Sequence, residues 1–260
     1  VAVDLATDEV GAGEPLVILH GLFGSKRNWS SIAGRLAQHR RVITVDMRNH
    51  GESPWDGLHD YPALADDVAR LIDRVVGGPV TVMGHSMGGK AAMLLALGRP
   101  ELVERLVVVD IAPARSHSSP LLLVKAMRRV PLETLSRRAE VDAVLAEVIP
   151  DLAVRGFLAQ NVVTEPTGLR WSVNLDAIER NGESIVGFPD IPPGTSFAKP
   201  TLFIAGGRSE YLRPEHRDAI TRLFPAAMIE TIANAGHWVH AEAPGPFLDV
   251  VSRFLACGAA

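Results

Sequence analysis

The stretch that most constrains this chain is Pro79-Val80-Thr81-Val82-Met83-Gly84-His85-Ser86-Met87-Gly88-Gly89-Lys90-Ala91. An apolar, β-branched run ends in Gly84-x-Ser86-x-Gly88 and passes straight into a helix-forming segment. A strand that turns this sharply into a helix holds its middle residue under strain, with small residues two before and two after it so that neighbouring backbone can approach. The serine oxygen is then raised out of the sheet at the positive end of the new helix, where developing negative charge is favoured. A Gly-rich turn that merely contains a serine is the ordinary alternative. A second rival lies in the same letters: Gly84-x-x-x-x-Gly89-Lys90 matches a phosphate-binding loop until its last position. There a Ser or Thr is needed to hold magnesium, and this chain has Ala91.

A serine hydroxyl needs a base to take its proton, and that base needs a third group to fix its tautomer. The rest of the chain supplies both. Apolar runs at Leu16–His20, Arg41–Asp46, Leu106–Asp110, Thr201–Ala205 and Met228–Ile232 alternate with amphipathic stretches, the pattern of a mostly parallel α/β sheet. In such a sheet the loops after the strands converge on one edge. Four of them carry suitable groups: His20-Gly21-Leu22-Phe23, Ser86, Asp110 and Asn234-Ala235-Gly236-His237. The glycines of the first allow backbone N–H groups to face an oxyanion. The order Ser, Asp, His along the chain is the order expected of a serine hydrolase on this kind of sheet. Asp66, Asp67, Arg70 and Asp73 read as the solvated face of one of the helices. His50 and His240 read as packing or hydrogen-bonding residues; a His237-x-x-His240 metal pair lacks an accompanying carboxylate motif.

From about Ala114 to Ala198 the alternation stops. Helical patterns such as Val141, Val144, Leu145 and Val148, with a proline-rich exit at Pro189, Pro192 and Pro193, read as an inserted helical cap. The expected organisation is therefore a core of 1–113 and 199–260 with a cap of 114–198. The cap's basic residues, from Arg115 to Arg138, read as a solvated helix face.

The chain resembles the α/β-hydrolase superfamily, and more narrowly the YbfF-type esterases and the related mitochondrial α/β-hydrolase-domain proteins. The marks are H-G-L-F-G-S at His20, D-M-R-N-H-G-x-S-P at Asp46, G-H-S-M-G-G-K at Gly84, V-D-I-A-P at Val109, G-G-x-S-x-Y at Gly206 and A-G-H-W-V-H at Ala235. They are spread over all of the chain except the cap. The resemblance implies the α/β-hydrolase fold and a hydrolase of carboxylic esters or acyl thioesters that needs no cofactor or metal. It also implies Ser86 as nucleophile, His237 as base and Asp110 as the orienting acid. Many α/β-hydrolases carry the acid on the later loop, where this chain has Ser209 and Glu210. In the named family that loop offers a serine and the acid stands at the position of Asp110. Glu210 is the alternative. The oxyanion would be held by the Met87 amide and by that of Leu22 or Phe23.

Other classes are bounded by the same residues. A dehalogenase or epoxide hydrolase would be expected to carry aspartate where Ser86 stands, whereas a ligand receptor or a C–C bond hydrolase or lyase on this fold remains open. With 260 residues, a net charge of −4 and well-mixed charges, nothing suggests a nucleic-acid partner. No apolar run reaches the roughly 18 residues of a membrane span. Val1–Leu5 has neither the basic flank nor the long apolar core of a signal peptide, which points to a cytoplasmic enzyme. The single cysteine, Cys257, reads as a packing residue.

Overall fold

The computed structural model describes residues 1–117 and 119–256, so Cys257 lies outside the described residues. Its centre is a seven-stranded sheet in the order β1-β3-β2-β4-β5-β8-β9. The strands are β1 (Thr7–Val10), β2 (Pro15–Leu19), β3 (Arg41–Val45), β4 (Val80–His85), β5 (Val103–Val109), β8 (Thr201–Gly206) and β9 (Ala227–Ile232). β1 runs antiparallel to β3 at one edge, and every other pairing is parallel.

The continuous apolar runs arise because the sheet is covered on both faces. Side chains alternate along each strand. Leu16, Ile18, Val107 and Val109 pack towards α1 (Ser30–Leu36) and the C-terminal Pro244–Ala256 helix. Val17, Leu19, Leu106 and Val108 pack towards α2 (Tyr61–Leu71), α3 (Met87–Gly98) and the Arg217–Leu223 helix. Each fully buried aliphatic side chain contributes on the order of 2 kcal/mol, so the loops at the sheet edge stand on a well-anchored floor. α2 begins where Asp60 accepts from the Ala63 N–H at 2.9 Å and where Pro62 occupies the first turn.

One side chain departs from the sequence reading. Asp67 is fully buried rather than on the solvated face of α2. Arg48 reaches it from 19 residues earlier with a two-pronged contact, Nε–Oδ2 2.5 Å and Nη2–Oδ1 2.7 Å. The Val3 N–H donates to the same carboxylate at 2.7 Å. A buried carboxylate needs such partners, and all of them are distant in sequence.

Between β5 and β8 the chain runs through α4 (Leu121–Arg128), α5 (Arg138–Leu145) and α6 (Leu152–Ala159). A β6–β7 hairpin follows (Val162–Glu165, Gly168–Trp171), then α7 (Leu175–Arg180) and α8 (Gly182–Val186). The insertion is thus not helical throughout, as its pattern suggested. Val162-Val163-Thr164 and Leu169-Arg170-Trp171 flank a Pro-Thr-Gly turn, and the two strands pair with each other rather than with the main sheet. The insertion has its own apolar core, including Val124, Met127, Val141, Leu145, Leu158 and Ile178. Its basic residues are largely partnered: Arg128 with Asp176 and Glu179, Arg115 with Glu183, and Arg138 with the Val162 carbonyl. After β8 come α9 (Arg217–Leu223), α10 (Val239–Glu242) and α11 (Pro244–Ala256). No helix among the described residues is long and apolar enough to cross a membrane.

Candidate active site

β4 ends at His85, Ser86 turns at φ 51° and ψ −117°, and α3 starts at Met87. The turn closes only with glycine at its flanks. A Cβ on Gly84 would meet the Gly88 carbonyl oxygen at 2.2 Å, and one on Gly88 would meet the His20 carbonyl oxygen at 2.6 Å. The non-glycine residues with positive φ among those described are Phe23, Asn49, Ser86 and Asp110. All four lie in loops that leave the C-terminal ends of β2, β3, β4 and β5. Strain of this kind persists where surrounding contacts over-determine it.

The same edge collects the other expected groups. Asp110 follows β5 and is fully buried. Its Oδ1 accepts the Gly206 N–H at 2.9 Å, and its Oδ2 accepts the Ser209 hydroxyl. Oδ2 also faces His237 Nδ1 at 2.7 Å, and His237 Nε2 faces Ser86 Oγ at 3.1 Å. Because Nδ1 meets a carboxylate, the proton belongs on Nδ1 and the lone pair on Nε2, turned to the serine. Tyr211 stacks on the imidazole with ring centroids 3.9 Å apart. The His237 carbonyl accepts from His85 Nε2 at 2.9 Å, and Glu242 accepts the N–H groups of Gly236 and Trp238. Glu210, the alternative acid, is solvent-exposed and pairs with Arg213. Tyr211 closes the G-G-x-S-x-Y motif, but nothing local signals its stacking on His237, and the bracing by Glu242 carries no local sequence signal beyond lying near a motif.

The two loop amides considered for an oxyanion differ in the structure. The Phe23 N–H donates to His50 Nε2 at 3.1 Å. The Leu22 N–H has no acceptor among the described residues. Met87 opens α3, so its N–H lacks an intrahelical acceptor. In front of Ser86 lies a cavity of about 430 Å³, lined largely by apolar groups that include Leu22, Met87, Ile111, Leu123, Phe157 and Trp238.

A sequence profile of the α/β hydrolase fold family matches residues 14–244, nearly the whole of the sheet and the insertion. This chain belongs to the α/β-hydrolase fold family. It is similar to the sn-1-specific diacylglycerol lipase ABHD11 of Mus musculus, with 43% identity over 249 residues, which cover 93% of this chain and 80% of that protein. It is 36% identical over 245 residues to esterase YbfF of Escherichia coli, covering 93% of this chain and 92% of the relative. A solved marine microorganism esterase superposes with a TM-score of 0.94 at 34% identity, covering 97% of this chain and all of that one.

Two further features of this α/β-hydrolase escape a motif reading. Lys90, which a phosphate-binding loop would aim at a phosphate, donates instead to the carbonyls of Val186 (2.8 Å) and Gly187 (2.6 Å) and to Ser116 Oγ (3.0 Å). It thereby ties α3 to both ends of the insertion. Burial, reinforced by the Arg115 charge, lowers its pKa to about 7. The second feature is a group of buried imidazoles. Burial lowers His20 to about 4, and His50 and His240 to about 3, with a neighbouring histidine adding to the shift in the last two. His240 stacks on Trp29, with ring centroids 4.0 Å apart.

These neutral histidines set an acid limit on stability. Their ordinary value is 6.5, so below it the unfolded chain binds protons that the folded chain excludes until about pH 4 or 3. Stability is therefore lost as the pH falls through this window, by up to about 1.4 kcal/mol per pH unit for each such group. The melting temperature should fall by at least about 10 °C between pH 7 and pH 5. Calorimetric scans across that range check it, and a flat profile would contradict the neutral assignment.

Proposed function

We propose that this chain is a serine hydrolase that cleaves carboxylic esters and acyl thioesters through an acyl-enzyme. The observation that carries the reading is the hydrogen-bonded series Asp110–His237–Ser86 at the mouth of an apolar cavity. The names of its relatives, a lipase and two esterases, support the same chemistry.

On this reading Ser86 Oγ attacks the acyl carbonyl while His237 Nε2 takes its proton. Asp110 holds the imidazole by its Nδ1–H and stabilises the cation that forms; the Ser209 hydroxyl and the Gly206 amide keep the carboxylate in place. The tetrahedral oxyanion is met by the Met87 amide and, of the two loop amides, by that of Leu22, since Phe23's is engaged by His50. Collapse expels the alcohol or thiol, which takes the proton from His237. Water, deprotonated by the same imidazole, then releases the acid and restores Ser86. The 114–198 insertion acts as a cap that supplies the acyl-facing wall, through Leu123, Phe157 and Ile185.

A panel of p-nitrophenyl esters and acyl-CoA thioesters of rising chain length tests the reading. Short-to-medium aliphatic acyl groups should be turned over, and bulky polar ones poorly, because the wall is aliphatic and aromatic. Turnover confined to peptides or phosphate esters would contradict it. Binding of such esters without turnover would instead indicate a receptor.

A further inference from the structure

Gly21 to Gly24 form a tight turn closed by the Gly24 N–H on the Gly21 carbonyl at 2.9 Å. Leu22 and Phe23 are its central residues. Phe23 sits at φ 61°, a conformation such turns ordinarily give to glycine at that position. A bulky residue stays there only if its surroundings hold it.

Three contacts do so, and they come from two parts of the chain. The Phe23 N–H donates to His50 Nε2. The ring of His50 is fully buried, and its Nδ1 lies 2.9 Å from the Arg48 carbonyl. A carbonyl accepts only, so Nδ1 carries the proton and Nε2 is fixed as an acceptor. On the other side, the Phe23 carbonyl accepts from Asn161 Nδ2 at 2.7 Å. Asn161 belongs to the insertion, between α6 and β6, and is 3% exposed. It is fixed there by Ser172, whose N–H and hydroxyl donate to its carbonyl at 2.7 and 3.0 Å. Finally, the Phe23 side chain packs in the apolar core of the insertion rather than in that of the sheet. The insertion also grips the loop that carries His50: the Asn174 N–H donates to the Asn49 carbonyl at 2.9 Å, and Asn174 Nδ2 to Asn49 Oδ1 at 3.0 Å.

We propose that His50 and Asn161 are positioning residues for the oxyanion: by clamping Phe23 from the sheet side and from the insertion side, they hold the neighbouring Leu22 amide in line with that of Met87. The oxyanion site then exists only while the insertion is seated, which makes the insertion part of the catalytic apparatus rather than a passive wall. The inference rests on the serine-hydrolase reading above.

The test uses the full chain with His50→Leu, which removes the acceptor; His50→Gln, which restores one near the Nε2 position; and Asn161→Leu, which removes the donor. Turnover of p-nitrophenyl butyrate is measured beside the affinity of a trifluoromethyl ketone, whose serine adduct bears a charged oxygen. Removing a single oxyanion donor outright costs roughly 10²–10³ in turnover, so a displaced donor should cost about 10- to 100-fold. His50→Leu and Asn161→Leu should lose that much kcat with KM nearly unchanged. Ketone affinity should fall in parallel, and His50→Gln should recover most of both. The double Leu variant should lose less than the product of the two single losses, because both act on one residue. A folded Asn161→Leu or a folded His50→Leu with turnover and ketone affinity unmoved, or a His50→Gln no better than a folded His50→Leu, would overturn the proposal. Should His50→Leu fail to fold, Asn161→Leu and the His50→Gln turnover decide the matter. Covalent labelling of Ser86 by a fluorophosphonate in the parent protein separates the two levels: its absence there defeats the serine-hydrolase reading itself.

Discussion

Ser86→Ala should leave a folded protein whose ester hydrolysis is lower by roughly 10⁴- to 10⁶-fold, close to complete loss in a routine assay. The size follows from the proposed mechanism, in which the hydroxyl forms the acyl-enzyme and supplies the proton that His237 takes. The fold should survive because the side chain of Ser86 makes its hydrogen bond only to His237 among the described residues. Its backbone bonds, N–H to the Val109 carbonyl and carbonyl to the Lys90 N–H, remain in the variant. Turnover measured beside a thermal melt checks both halves. A folded variant with parental turnover would remove Ser86 from the mechanism.

Asp110→Asn should cost about 10⁴-fold in turnover, again without unfolding. The asparagine carbonyl can keep the Gly206 N–H, but its NH₂ then faces His237 Nδ1. That arrangement favours the tautomer with the proton on Nε2, which cannot accept from serine. Glu210→Gln should change turnover by no more than about twofold, as expected for an exposed pair outside the site; Glu210 is bonded to Arg213 at the surface. Kinetics of the two single variants, with circular dichroism for folding, separate the candidates. A crippled Glu210→Gln beside a nearly normal Asp110→Asn would move the acid to the later loop.

The sheet and the meeting of Ser86, Asp110 and His237 were legible because each rests on local chemistry. The strands are short apolar runs, and four of the loops that follow them carry the residue types a serine nucleophile would need. Parallel pairing then carries those ends to one edge without further information. What the sequence concealed depends on partners far along the chain. Asp67 looks like one more acid on an exposed helix face until Arg48 is brought over it. Leu22 and Phe23 are equivalent in the motif, and only the approach of His50 distinguishes their amides. Lys90 fits a nucleotide loop in letters, yet its ammonium is held by carbonyls 96 and 97 residues away. In the insertion, the hairpin from Val162 to Trp171 is too short for its periodicity to stand out from the helices around it.

On the proposed mechanism Ser86 becomes covalently acylated. The most direct measurement is reaction of the full chain with a fluorophosphonate, followed by intact-mass and peptide mass spectrometry. One adduct per chain should appear, on the peptide containing Ser86, slowed by a competing ester and absent from Ser86→Ala. A protein that takes up no label, or takes it up at another residue while Ser86→Ala still labels normally, would contradict the account.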